Sequence, residues 1–136
     1  MNAIIKNSVG EKLDYTFTSG NDSSHQADWL IVLGHGVTGD KDRPLISDTA
    51  AALNAAGFDT LAFSFAGNGA SDGDFRDATI TKEVGDLTSV LDAVAAFYPK
   101  ICYVGHSMGA AVGVIQAARD TRINALVSLA GMVDTQ

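Results

Sequence analysis

The chain has 136 residues, 46% of them hydrophobic and 18% charged, a size that supports one hydrophobic core and not two. With 9 basic against 16 acidic residues the net charge is −7 and the pI near 4.6, so nucleic acid and anionic membrane are poor partners. A lone cysteine, Cys102, excludes an internal disulfide and a cysteine-built metal site.

No apolar run approaches the ~20 residues that a bilayer span requires. Met1 to Lys6 lacks a signal-peptide pattern, so a soluble cytoplasmic protein is expected. No repeat, low-complexity tract or like-charge run marks a linker, and residues 1–136 read as one domain. Residues 2–8 and 11–18 are short, partly alternating stretches parted by Val9-Gly10, the pattern of an antiparallel hairpin at a sheet margin. Asn21 to Ser24 is a polar loop. Trp29 to Leu33 is a continuous apolar run ending in glycines, which suits a strand buried on both faces of a parallel sheet.

A helix follows. Asp42 is its expected cap, Pro44 sits in its first turn, Ile46, Ala50 and Leu53 share a face, and Gly57 is the left-handed stop. Residues 58–65 return as a strand. Between 79 and 98, Ile80, Val84, Leu87, Leu91, Val94 and Tyr98 keep helical spacing, with Glu83 and Asp86 near the start and Pro99 at the end. Ile101 to Val104 is a second buried strand, 107–119 an alanine-rich helix, and Ala125 to Ala130 a further strand. Strand and helix alternate, and right-handed crossovers make the sheet mostly parallel. The fold class is therefore α/β, a three-layer sandwich with an amino-terminal antiparallel hairpin.

In an open parallel sheet, function gathers at the carboxyl ends of the strands. After the 101–104 strand comes Gly105-His106-Ser107-Met108-Gly109, a G-x-S-x-G set between strand and helix. The bend there is so sharp that side chains two positions either side of the serine would collide with the neighbouring strand and helix, hence the glycines. Ser107 is expected to present its hydroxyl at the sheet edge as a nucleophile rather than as a helix cap. The N–H of Met108, at the start of the helix, points at the same space and can hold an oxyanion.

The turn Gly34-His35-Gly36-Val37-Thr38-Gly39 also spells G-x-G-x-x-G. A dinucleotide fingerprint needs the helix to open at the glycines and a carboxylate at the end of the next strand. Here Asp40 to Arg43 intervene, and Ser64, Phe65 and Ala66 stand where the carboxylate would be, so no cofactor is expected. The other reading makes this turn the second half of an oxyanion hole, with the Val37 N–H opposing that of Met108 and the His35 imidazole structural. Cys102, inside a strand, reads as a small buried apolar residue and Trp29 as core; metal binding has no support.

On His35 to Gly39, on Phe65-Ala66-Gly67-Asn68-Gly69-Ala70-Ser71-Asp72-Gly73 and on Gly105 to Gly109, the chain resembles the amino-terminal part of an α/β-hydrolase. The kinds it is similar to are the serine esterases, monoacylglycerol lipases and serine aminopeptidase-like enzymes. Small esterases acting on hydroxycinnamoyl esters share this style of loop. The resemblance covers nearly the whole chain and implies an incomplete α/β-hydrolase fold. It implies Ser107 as nucleophile towards a small-molecule carboxylic ester, Val37 and Met108 as oxyanion donors, Gly105 and Gly109 as elbow glycines, and the 66–73 loop as support.

In that family the acid and then the histidine follow the serine. His25, His35 and His106 all precede Ser107. His106 is expected to pack beneath the elbow and His25 to be solvated in its polar loop, while Asp134 after the last strand is no firm candidate for the acid. The chain is thus expected to be a fragment lacking the carboxyl-terminal strands and helices, with the acid and the histidine on a continuation past Gln136 and little turnover of its own. Its unfinished sheet edge would favour self-association. The rival is a non-catalytic hydrolase-like module that binds through that edge, favoured by the missing histidine and disfavoured by the intact elbow.

Overall fold

A computed structural model describes residues 2–21 and 27–131. Seven strands, β1 (Ile5–Lys6), β2 (Lys12–Leu13), β3 (Tyr15–Thr18), β4 (Trp29–Gly34), β5 (Asp59–Phe63), β6 (Lys100–His106) and β7 (Ile123–Leu129), are found among these residues together with three α-helices, α1 (Pro44–Ala55), α2 (Ile80–Val94) and α3 (Met108–Arg119). His25, Asp134 and most of the polar loop expected after Asn21 lie outside the described residues.

β3 to β7 form one sheet in the order β3-β5-β4-β6-β7, parallel except for β3. β1 and β2 form a separate antiparallel pair, with Ile5 opposite Leu13. This hairpin is shorter than the alternation of 11–18 suggests. The chain turns at Asp14, whose N–H donates to Ser71 Oγ at 2.7 Å, and Tyr15–Thr18 leaves to pair with β5. Period-two alternation reports which face is buried, not which strand lies alongside.

The three layers follow from alternation in the central strands. Leu30 and Val32 of β4, Leu61 and Phe63 of β5 and Tyr103 of β6 enter one core with Val84, Leu87, Val90, Leu91 and Val94 of α2 and Val112 of α3. Their neighbours Ile31, Leu33, Ala62, Cys102 and Val104 face the other way, onto Ile46, Ala50 and Leu53 of α1. Leu87, Val90, Leu91 and Val94 are all 0% exposed, each contributing about 1.5–3 kcal/mol, so a charge at Leu91 would detach α2.

Helix ends depart from the sequence reading in instructive ways. α1 begins at Pro44 with extended Arg43 at the N-cap position and no side-chain cap, so Asp42 does not cap it; the proline presets φ and has no N–H to satisfy. Gly57, at φ 98°, stops α1. Its N–H donates to Asn54 O at 3.0 Å and that of Phe58 to Leu53 O at 3.0 Å, closing the last turn. In α2, Thr79 caps the start, accepting from the Lys82 N–H at 3.1 Å. The helix ends at Val94 rather than 98, because Tyr98 leaves it to donate its hydroxyl to Asp59 Oδ2 at 2.7 Å.

Glu83 and Asp86 do not face solvent at the start of α2: both are buried on the core side. Asp86 Oδ2 accepts from the Ala66 N–H at 2.8 Å and Oδ1 from Asn7 Nδ2 at 2.9 Å, which fastens the 66–73 loop and the hairpin to α2. Burial pushes the Asp86 carboxyl up despite these two donors. Glu83 is pushed up to about 7 by burial, with the adjacent Asp86 charge adding to the effect.

Candidate active site

From β4 the sheet proceeds to β5 on one side and to β6 on the other. The carboxyl ends of strands flanking such a reversal leave a crevice between their loops. Gly34 and Gly105 are paired in register across β4 and β6, so the 34–39 turn and the 105–109 turn leave the sheet side by side.

Ser107 stands at the junction of β6 and α3 with φ 53° and ψ −115°, a conformation that costs a residue bearing a Cβ about 1–3 kcal/mol. The strain is held from both sides. Its N–H donates to Leu129 O at 3.0 Å, and its carbonyl accepts from the Ala110 and Ala111 amides at 3.0 and 3.3 Å. The hydroxyl makes no cap hydrogen bond to the helix, so the side chain does not serve as an N-cap.

Close packing explains the flanking glycines. A Cβ on Gly105 would lie 2.5 Å from Gly109 O and 2.6 Å from Ala110 N, inside the helix start. One on Gly109 would lie 2.5 Å from His35 O and 2.7 Å from Gly34 O, inside the neighbouring loop. Tyr103 is the side chain that sequence reasoning missed. Its hydroxyl donates to Gly109 O at 2.8 Å beneath the first turn of α3. A Cβ on Gly34 would overlap that hydroxyl, and one on Gly113 would sit 2.5 Å from the ring. Two glycines far apart in sequence, Gly34 and Gly113, therefore make room for one buried ring, a signal that no local pattern carries.

The facing loop is fixed by His35, which is 2% exposed. Its Nδ1 lies 2.7 Å from Gly36 O, and its Nε2 lies 3.0 Å from the Phe65 N. A backbone N–H can only donate, so Nε2 is the acceptor and Nδ1 carries the proton. Burial lowers the His35 pKa, which keeps this neutral form. With both nitrogens engaged, His35 is a structural clamp and has no lone pair left for an incoming proton.

Gly36 then brings the loop against the elbow: a Cβ there would be 3.2 Å from both Ser107 Cβ and His106 Nδ1. Val37 follows, half exposed, and Thr38 turns the chain at φ 60°. Ser107, His106, the His35–Gly39 loop, Arg43 and the start of α1 line one cleft of about 410 Å³. His106 therefore borders this cleft rather than packing beneath the elbow. Met108 follows as the first residue of α3, where helix geometry provides its N–H no partner in the preceding turn. Among the described residues neither the Met108 nor the Val37 N–H donates to a backbone carbonyl. Cys102 is buried on the α1 side, and burial pushes its thiol up, the opposite of an activated nucleophile.

Among the described residues, no three His, Cys, Asp or Glu side chains converge to hold a metal ion, and no helix is long and apolar enough to cross a membrane. The family described as serine aminopeptidase, S33 (Hydrolase_4), matches residues 25–136. No curated protein matches the sequence. Among solved structures, Est1E from Butyrivibrio proteoclasticus, with ferulic acid bound, is 29% identical with a TM-score of 0.81, covering 91% of this chain and 51% of that one. An α-β serine hydrolase homologue from Coxiella burnetii is 26% identical with a TM-score of 0.79, covering 93% and 60%. XC6422 from Xanthomonas campestris, a serine hydrolase without lid, shares the fold at 24% identity and a TM-score of 0.81, covering 93% and 58%. The chain thus spans between 51% and 60% of the length of these structures.

Proposed function

The chain belongs to the serine aminopeptidase S33 family of α/β-hydrolases, and on that premise we propose that it is the nucleophile-bearing part of a serine hydrolase acting on carboxylic esters in preference to amides. Ser107 Oγ attacks the ester carbonyl carbon while a histidine takes its proton. The carbonyl oxygen becomes an oxyanion held by the Val37 and Met108 N–H groups. The carbon–oxygen bond to the alcohol breaks, the alcohol leaves with the proton, and water then hydrolyses the acyl-serine. Gly105 and Gly109 make the elbow possible. His35 is excluded as the base because both its nitrogens are engaged. In this reading residues 1–136 are part of a single domain whose acid and base lie on a continuation past Gln136.

The observation that carries the proposal is Ser107 itself, strained at φ 53°, free of any capping role and facing a loop that a Gly36 Cβ would crowd. Strain of this size persists where it serves a site. The ferulic acid bound to Est1E is a carboxylic acid, the class of product that ester hydrolysis releases, and this supports an ester as substrate. The test is labelling with a fluorophosphonate, with and without added imidazole as a replacement base, followed by intact mass and peptide mapping. A single adduct on Ser107, accelerated by imidazole and absent from Ser107→Ala, is expected. An unlabelled Ser107 in the presence of imidazole refutes the proposal and leaves the non-catalytic module.

A further inference from the structure

We infer that the cleft selects esters carrying a carboxylate, and that Arg43 is the residue that reads it; the inference rests on Ser107 being the nucleophile. Among the described residues, Arg43 is the only one lining the Ser107 cleft with a formal charge, the rest being histidines, glycines and uncharged side chains. In a chain of net charge −7, a cleft whose one charge among the described residues is positive sets itself apart from the surrounding surface.

Arg43 is exposed and is tied to the loop by one contact. Its Nη2 donates to Thr38 O at 3.3 Å, so the guanidinium lies across the loop next to Val37. One of its five N–H groups is used there, and the planar fork has others to offer a carboxylate. Of the neighbouring acids, Asp40 places its charge near His35, but none forms an ion pair with Arg43 among the described residues. Asp42 lies 3.2 Å from Lys41 Nζ, Asp40 Oδ1 accepts from the Asp42 N–H at 2.8 Å, and neither lines the cleft. Lys41 in turn is shared with Asp14 at 3.5 Å and does not line the cleft either.

The experiment compares Ser107 acylation, read by intact mass, for matched p-nitrophenyl esters: the hemiglutarate against the neutral valerate. A second pair carries the carboxylate on the leaving group, 4-carboxyphenyl against phenyl butyrate, and distinguishes the two sides of the scissile bond. The anionic member of at least one pair is expected to react about three- to tenfold faster than its neutral partner, falling as salt rises. Arg43→Gln should abolish that ratio and Arg43→Lys keep most of it. The ratio is the readout because loss of the Thr38 contact lowers both rates together. If neutral esters acylate Ser107 while no anionic preference exists, or the preference survives in Arg43→Gln, the inference is overturned and the hydrolase reading stands. If no ester acylates Ser107, with imidazole present, both fall.

Discussion

Replacing Ser107 by glycine and, separately, by alanine isolates the cost of the elbow, because both changes delete the hydroxyl and only one keeps a Cβ. At φ 53° and ψ −115° alanine retains the steric penalty of about 1–3 kcal/mol, whereas glycine escapes it. Glycine loses about 0.5–1 kcal/mol through the greater freedom of its unfolded chain. The balance favours Ser107→Gly over Ser107→Ala by about 0.5–2 kcal/mol, the reverse of the usual order at a helix or strand position. With a urea m-value of about 2 kcal/mol/M, the midpoint of Ser107→Gly should lie roughly 0.3–1 M above that of Ser107→Ala. The assay is equilibrium urea unfolding followed by the fluorescence of Trp29. Equal midpoints, or a lower one for glycine, would refute the claim that the fold holds this residue under strain.

Glu83→Gln should flatten the pH dependence of stability between about 4.5 and 7. In that window the unfolded carboxyl ionises while the buried one resists, so the wild type loses on the order of 2 kcal/mol as pH rises; parallel urea titrations at pH 5 and 7.5 measure the difference, and a steeper slope in the variant contradicts the burial argument. Tyr103→Phe, by deleting the hydroxyl on Gly109 O, should cost about 1–2 kcal/mol. It should also relieve part of the damage of Gly34→Ala, whose Cβ would overlap that same hydroxyl, so a double-mutant cycle that comes out additive disproves the contact. At the outer strand, Leu126 and Val127 of β7 are 37% and 41% exposed, and sedimentation velocity should show concentration-dependent association that Val127→Lys reduces. A wild type that stays monomeric at all concentrations rules this out.

The strands of the central sheet were legible because β4 and β6 carry apolar runs buried on both faces and bounded by glycine or proline, while β5 follows the glycine stop of α1. The junctions were not. Tyr15–Thr18 carries the same alternation whether it closes a hairpin or crosses to β5, and Asp42 carries the chemistry of a cap that Arg43 occupies instead. Glu83 and Asp86 lie near the start of α2, where an acid also suits the exposed amino end of a helix. Yet Glu83, Leu87, Val90 and Val94 follow one helical stripe, and that periodicity could have marked the acid as facing inward. Within the candidate site, the serine and its glycines are written in five consecutive letters. Tyr103 and the His35 to Phe65 clamp depend on residues brought together only by the sheet order, which no single stretch of sequence records.

The bond from the Ser107 amide to the Leu129 carbonyl means that the brace for this turn arrives from downstream, after the five-letter motif is complete. A chimera that exchanged only Gly105–Gly109 between relatives would transplant the spelling and leave its tether behind. The natural cassette for recombination runs from β6 through α3 to the end of β7, and a splice inside it should yield a serine of ordinary geometry.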